Sequence, residues 1–339
     1  MRYLIGLILL LSLPVMAQEA FVLAGKSVSP GSRQSFTVEV AGTAVPITVL
    51  HGSQPGAVLT LTAGVHGDEF PSIFALQRLR AQLDPEQLSG TLVLVHLANL
   101  SGFHGRRIAL NPVDEKNLNR EFPGDPAGTA TEQLAHFFTT EIISVTDYLI
   151  DLHSGSAYQT LLPHVYSPVL YDAGLDARTL AFARSTGVPH IVLYDERPND
   201  PDNAISYPNA AQTRGKPALT LEVGHLGERD ESYIEQIVAA CLNTMRHLGL
   251  LSEPELTPAG EERLYQRLES VASPETGIFH PRASVGDSVQ VGTLLGVVTD
   301  YFGEPLLELR SPARGTLLML HDTPPVSAGE TSATIAVME

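Results

Sequence analysis

Val58-Leu59-Thr60-Leu61-Thr62-Ala63 runs without a break into Gly64-Val65-His66-Gly67-Asp68-Glu69, and Pro71 follows soon after. The first half is a short apolar run closed by glycine, the pattern of a strand buried on both faces. The second half is a turn that carries an imidazole and a carboxylate at i, i+3. Pro71 stands where the first turn of a helix tolerates proline, with Asp68 and Glu69 on the favourable side of that helix's dipole. Two further runs repeat the arrangement: Tyr148–Leu152 ends in His153-Ser154-Gly155, and Pro217–Leu221 ends in Glu222-Val223-Gly224. Helical patterns lie between and after them, over Ser72–Leu83, Thr131–Ile143, Asp176–Thr186 and Glu231–Leu250. This alternation predicts an α/β fold, a mixed and largely parallel sheet sandwiched by helices. In such sheets ligands gather at the carboxyl ends of the strands. His66, Glu69, His153 and Glu222 all fall there.

Around this core the chain has 339 residues, enough for two domains. Hydrophobic residues make up 43% and charged residues 17%, so disorder is excluded and a sizeable core expected. A net charge of −17 excludes nucleic-acid and polybasic membrane binding as sensible functions. The lone Cys241 excludes an internal disulfide framework and a cysteine-based zinc cluster. It is read as a small buried hydrophobe in a helix.

Residues 1–20 read MRYLIGLILLLSLPVMAQEA. Arg2 supplies a positive start, Leu4–Leu13 an apolar stretch and Val15-Met16-Ala17 a small-residue cleavage site. A membrane span needs roughly 20 apolar residues, about twice that stretch. The expectation is a cleaved signal peptide over 1–17 and an exported protein, periplasmic or secreted, with no stable membrane anchor. Removal of Arg2 with it shifts the net charge from −17 to −18.

The catalytic domain is expected over 18–252, and a linker with a small all-β module over 253–339. Ser252–Gly260 is rich in proline. Beyond about Ser273 short strands alternate with glycines, as in Val285-Gly-Asp-Ser-Val-Gln-Val-Gly-Thr-Leu-Leu-Gly-Val-Val298. The module resembles the barrel-sandwich fold of biotinyl and lipoyl carrier domains, which present a lysine. Lys26, Lys116 and Lys216 are the only lysines in the chain and none lies in the module, so a swinging-arm carrier is excluded. A structural or site-covering role remains.

His66 and Glu69 can meet on one ion, and His153 can supply a third ligand. Two neutral imidazoles and a carboxylate leave a zinc site with an open fourth position, the arrangement of catalytic zinc. Water on such an ion has its pKa lowered to around 7. Glu222 is then the candidate general base that takes the proton and passes it to a leaving nitrogen. A lone His-x-x-Glu is common by chance, and His51, His96, His136, His190, His247, His280 and His321 are read as structural. Asp68 is read as a helix N-terminal carboxylate. Asp151 either orients His153 or is a buried structural carboxylate; the residues leave both open. Tyr158, His164, Tyr166, Tyr171 and Tyr194 are pocket candidates, each with core or surface packing as an equal alternative.

The segment Asn111-Pro-Val-Asp-Glu-Lys-Asn-Leu-Asn-Arg-Glu-Phe-Pro-Gly124 has little hydrophobic periodicity and many directional polar groups. A guanidinium beside an amide, as at Asn119-Arg120, suits a substrate carboxylate. Arg107 lies upstream, and a second arginine near the ion can stabilise a tetrahedral oxyanion.

Taken together, Gly64-Val-His66-Gly-Asp-Glu69, Asn111–Gly124 with Asn119-Arg120, Asp151-Leu-His153-Ser-Gly155 and Leu221-Glu222-Val-Gly224 resemble the succinylglutamate desuccinylase/aspartoacylase family, zinc deacylases with a metallocarboxypeptidase-like catalytic fold. The resemblance covers roughly residues 55–330. It implies one zinc per chain on His66, Glu69 and His153, Glu222 as acid/base, a substrate carboxylate on Asn119 and Arg120, and carbonyl polarisation by Arg107, with the choice between Arg107 and the adjacent Arg106 left open. Two departures stand out. Many members are cytoplasmic, whereas this chain carries an export signal. His225 also follows the Glu222 turn, where the family commonly has small residues, and is expected to reshape the pocket.

The function expected is hydrolysis of the amide bond of an N-acyl amino acid, or a similar small carboxylate-bearing amide, by metal-activated water. A zinc carboxypeptidase acting on short or cell-wall peptides has the same site chemistry, so the motifs do not separate the two: a β module closing over the cleft favours small amides, and an open groove favours peptides. A non-catalytic metal- or solute-binding protein is a third reading, against which Glu222 argues because a binder needs no base. The acyl group, the amine product and homo-oligomerisation are left open.

Overall fold

The run that opens with Val58 lies in the middle of a nine-stranded sheet. The computed structural model describes residues 18–256 and 260–338; the signal peptide expected over 1–17 lies outside them. After a hairpin of β1 (Phe21–Leu23) and β2 (Lys26–Val28) come β3 (Ser32–Val40), β4 (Thr43–His51), β5 (Gln54–Ala63), α1 (Phe70–Gln82), β6 (Ser89–Val95) and α2 (Leu100–Gly105). α3 (Ala130–Phe137) passes through a π-helical turn into α4 (Ile143–Val145). β7 (Tyr148–His153), β8 (Gln159–Leu161), β9 (His164–Pro168), α5 (Ala173–Ser185), β10 (His190–Tyr194), α6 (Tyr207–Gln212), β11 (Ala218–Glu222) and α7 (Glu231–His247) follow. The C-terminal part contributes β12 (Arg263–Tyr265), β13 (Arg267–Ala272), β14 (Gly277–Pro281), β15 (Ser288–Val289), β16 (Leu294–Thr299), β17 (Pro305–Arg310), β18 (Gly315–His321), β19 (Pro325–Val326) and β20 (Thr331–Val337).

The large sheet has the order β12-β10-β9-β11-β7-β5-β6-β4-β3. Five of its eight pairings are parallel, so the sheet is mixed and largely parallel. Alternation along each strand splits the core into two layers. Leu59, Leu61, Ile150, Leu152, Leu219 and Leu221 pack with α1, α5 and α7. Leu149 and Ala218 face the other way, with Leu134, Phe138 and Tyr207. Cys241 is fully buried in the first layer, and burial pushes its thiol up to about 12, so it is inert packing.

The C-terminal strands form two small antiparallel sheets, β17-β16-β14-β19 and β13-β20-β18-β15, around Phe279, Leu295, Val298, Leu317 and Ile335. The boundary at 252 is less clean than the sequence suggests. β12, beyond that boundary, adds to the large sheet beside β10, while β8, from the catalytic half, pairs with β18. Each half lends the other a strand, and Thr160 Oγ1 adds a 2.7 Å hydrogen bond to Asp322 Oδ2.

Candidate active site

Strand register builds the site. Thr62 of β5 pairs with Asp151 of β7, which pairs with Thr220 of β11, and two residues on His153 pairs with Glu222. All of these side chains leave the sheet on the face opposite α1 and α7, because their neighbours Ile150, Leu152, Leu219 and Leu221 fill the layer beneath those helices. The apolar runs of the sequence thus hide an alternation in which the polar residues share one face. At the end of β5 the chain turns through Gly67, where a Cβ would fall 2.2 Å from the backbone N of Phe103; only glycine lets the turn pack against α2. Glu69 occupies the N-cap position of α1 but makes no capping bond with its side chain.

Its carboxylate instead bridges two imidazoles. Glu69 Oε1 lies 2.8 Å from His66 Nδ1, and Oε2 lies 2.8 Å from His153 Nδ1. The outer nitrogens are held from behind. His66 Nε2 is 3.2 Å from Asn117 Oδ1, and His153 Nε2 is 2.7 Å from Asp151 Oδ2. Both Nδ1 atoms therefore converge on Glu69, and one ligand atom from each of His66, Glu69 and His153 lies within 4.8 Å of the others. Three convergent donors, two of them imidazoles backed by outer hydrogen-bond partners, form a group that could hold a metal ion.

The electrostatics match this construction. Burial disfavours a charge on Glu69, but His153 and His66 outweigh it and hold the carboxyl at about 2. Burial likewise opposes protonation of His153, and Asp151 with Glu69 overcome it, raising the imidazole well above its ordinary value. Glu222 goes the other way. Burial raises it, His153 pulls it down, Glu69 and Asp151 push it up, and it sits at about 8.

A cavity of about 380 Å³ opens beside these residues. His66, His153, Glu222, Arg120, Tyr194 and Arg197 line it, and Leu268, Ser270 and Thr334 of the C-terminal sheet form part of the lining. Asn119 also lines it, but its Oδ1 accepts the Tyr207 N–H at 2.9 Å and its amide nitrogen lies 3.4 Å from Asp151 Oδ2. Arg120 donates to the Asn119 carbonyl at 2.7 Å, and burial together with the nearby Arg197 lowers its pKa.

Several expectations need correction. Arg107 does not reach the cavity: it is exposed and forms an ion pair with Glu115 on the loop after α2. Arg106 is no substitute, being the left-handed C-cap of that helix. The arginine that joins Arg120 in the wall is Arg197. His225 is not a lining residue either; its Nδ1 lies 2.9 Å from the Tyr233 hydroxyl. Asp68 ties two loops together, accepting from the Ala109 and Ala157 N–H groups at 3.3 Å each, rather than merely facing a helix dipole. Of the aromatic candidates, Tyr166 and Tyr194 line the cavity and Tyr171 is exposed. Asn117 and the roof residues went unrecognised in the sequence. Asn117 could have been suspected from its place in the polar 111–124 segment; Leu268, Ser270 and Thr334 gave no local signal.

Comparison with known proteins agrees with this geometry. Residues 55–248 match the succinylglutamate desuccinylase/aspartoacylase catalytic domain. The N-α-acetyl-L-2,4-diaminobutyric acid deacetylase of Halomonas elongata is 32% identical over 299 residues, covering 86% of this chain and 85% of that protein. A succinylglutamate desuccinylase/aspartoacylase from Rhodobacter sphaeroides has a similar structure, with a TM-score of 0.80 at 28% identity over 89% of this chain and 95% of that one. The product-bound ectoine utilization protein of Ruegeria pomeroyi also gives a TM-score of 0.80 at 28% identity, over 87% and 90% of the two chains. The catalytic-domain match and the Halomonas relative together place the chain in the succinylglutamate desuccinylase/aspartoacylase family.

Proposed function

We propose that this chain is an exported zinc amidohydrolase that removes the acyl group from a small N-acyl amino acid. The observation that carries the reading is Glu222 beside the His66, Glu69 and His153 group, in a roofed cavity whose wall contains Arg120. The deacetylase relative in Halomonas, which by its name acts on N-α-acetyl-L-2,4-diaminobutyric acid, supports an N-acetyl amino acid as the substrate class. The C-terminal sheet lends Leu268, Ser270 and Thr334 to the lining of a cavity of about 380 Å³, which supports a small amide rather than a peptide. Export rests on residues 1–17 alone.

His66, Glu69 and His153 would hold the zinc ion, which when bound lowers the pKa of water to around 7 and polarises a carbonyl oxygen. The chain's own residues do the remaining work. Arg120 grips the substrate carboxylate and so places the amide carbon at the Glu222 end. Glu222, once ionised beside the bound cation, takes a proton from the attacking water and delivers it to the nitrogen as the C–N bond breaks. Asp151 and Asn117 keep both imidazoles turned toward Glu69.

Metal analysis of the purified protein, combined with a hydrolysis screen of N-acetyl and N-succinyl amino acids and short peptides at neutral pH, tests the reading. Near one zinc per chain and release of an amino acid from the acyl compounds are expected. Turnover of peptides alone points to the carboxypeptidase reading, and bound zinc without any hydrolysis points to a binding protein.

A further inference from the structure

Five arginines outside the cavity are neutralised by glutamates: Arg78 by Glu231, Arg107 by Glu115, Arg184 by Glu262, Arg267 by Glu269 and Arg310 by Glu308. Among the described residues, Arg120 and Arg197 form no such pair, a condition they share with other arginines such as Arg178 and Arg229, but they are the two arginines that line the cavity beside His66, His153 and Glu222. Both residues line one cavity. Each is also held in place by a contact that does not neutralise it. Arg120 Nη1 donates to the Asn119 carbonyl at 2.7 Å, and the Arg197 guanidinium lies 4.9 Å from the centre of the Tyr194 ring. Tyr194 is the last residue of β10, and the loop that follows places Arg197 over its ring.

Two fixed cations sharing a partly buried wall repel each other and lose hydration, a cost that a bound anion removes. A guanidinium offers a planar fork of donors, and two such forks can satisfy all the lone pairs of one carboxylate. We propose that Arg197 is the second half of the substrate-carboxylate site, and that together with Arg120 it makes a free carboxylate on the substrate a requirement. This rests on the N-acyl amino acid reading of the site. It assigns to Arg197 a specificity role distinct from that of the bond-breaking groups. The acid and its carboxamide have nearly the same shape, so discrimination between them reports the charge contact alone.

The test uses the zinc-loaded full-length protein, with N-α-acetyl-L-2,4-diaminobutyrate and the matching carboxamide as probes. Wild type, Arg197→Gln and Arg197→Lys are compared by steady-state kinetics and by calorimetric titration of each probe, with Arg78→Gln as a surface control. Arg197→Gln is expected to raise KM for the acid about tenfold or more with kcat changed less than about threefold, and to weaken acid binding in the titration to the same degree. The carboxamide should respond little to either substitution, and Arg197→Lys should recover part of the acid preference. Should both variants keep the wild-type KM and the wild-type preference for acid over carboxamide, Arg197 has no such role. If wild type neither binds nor hydrolyses any acyl amino acid, the functional reading itself fails, and the Arg197 assignment with it.

Discussion

Glu222 and His153 are register partners on the adjacent parallel strands β11 and β7, so their side chains leave the sheet together at its carboxyl edge. Neighbouring strands lie about 4.8 Å apart, which puts a carboxyl beside the candidate metal ligands, while the convergent donor group consists of His66, Glu69 and His153 without Glu222.

That separation predicts a split between metal binding and turnover. Glu222→Gln preserves shape and removes the proton acceptor. It should retain near wild-type zinc content and lose about 10²- to 10⁴-fold in kcat. Elemental analysis alongside steady-state kinetics checks both halves. Near wild-type turnover in the variant would remove Glu222 from the reaction, and parallel loss of zinc would make it a ligand.

Asp151 is fully buried and accepts a 2.7 Å hydrogen bond from His153 Nε2–H. Fixing that nitrogen leaves Nδ1 to face Glu69. Asp151→Asn retains the volume but weakens the charge-assisted hold on the ring, so zinc affinity should fall about 10- to 100-fold. Competition with a chromophoric chelator measures this directly. An unchanged affinity would leave Asp151 as a structural carboxylate only.

These relationships show which parts of the molecule were legible in the sequence. The strand ends carrying His66, His153 and Glu222 could be read because burial on both faces demands apolar runs, and glycine marks where each run stops. The convergence of those ends follows from the sheet order, which a repeated strand–helix rhythm implies. The roof could not be read in the same way. β8 is three residues long and owes its existence to pairing with β18, a contact that no local pattern announces. The exchange of Arg107 for Arg197 has a similar origin. Arg107 lies close in sequence to the polar 111–124 segment, whereas Arg197 reaches the cavity from a loop whose position depends on β10 lying two strands from β11.

The roof itself makes a testable prediction. Ser270 and Leu268 of β13 line the cavity, so the C-terminal sheet limits its size. Ser270→Trp adds bulk to a space of about 380 Å³ and should lower kcat/KM for acyl amino acids at least tenfold. Zinc content should stay unchanged, because the metal ligands belong to the other sheet. An unaffected kcat/KM would place the productive substrate pose away from β13.

Two histidines contribute to the acid side of the stability profile. His164 is buried, its Nδ1–H donating to the Leu162 carbonyl at 2.7 Å while Nε2 has no partner among the described residues. Burial holds it at about 4, with the Leu162 bond opposing and His190 adding to the effect. His96 is likewise held at about 4, by burial and then by Arg80. In the unfolded chain both rings take up a proton near pH 6.5. Between about 6.5 and 4 the unfolded state therefore binds protons that the folded state refuses. The stability gained by keeping these rings neutral is intact above about pH 6.5 and is lost as pH falls toward 4, on the order of 2 kcal/mol per histidine. His96→Gln can keep a hydrogen bond to Thr48 Oγ1, the 2.8 Å partner of Nε2, while removing the titration. Urea midpoints at pH 7.5, 6.0 and 5.0 should fall less steeply for His96→Gln and His164→Gln than for wild type. Three parallel profiles would mean that both rings protonate in the folded chain as readily as in the unfolded one.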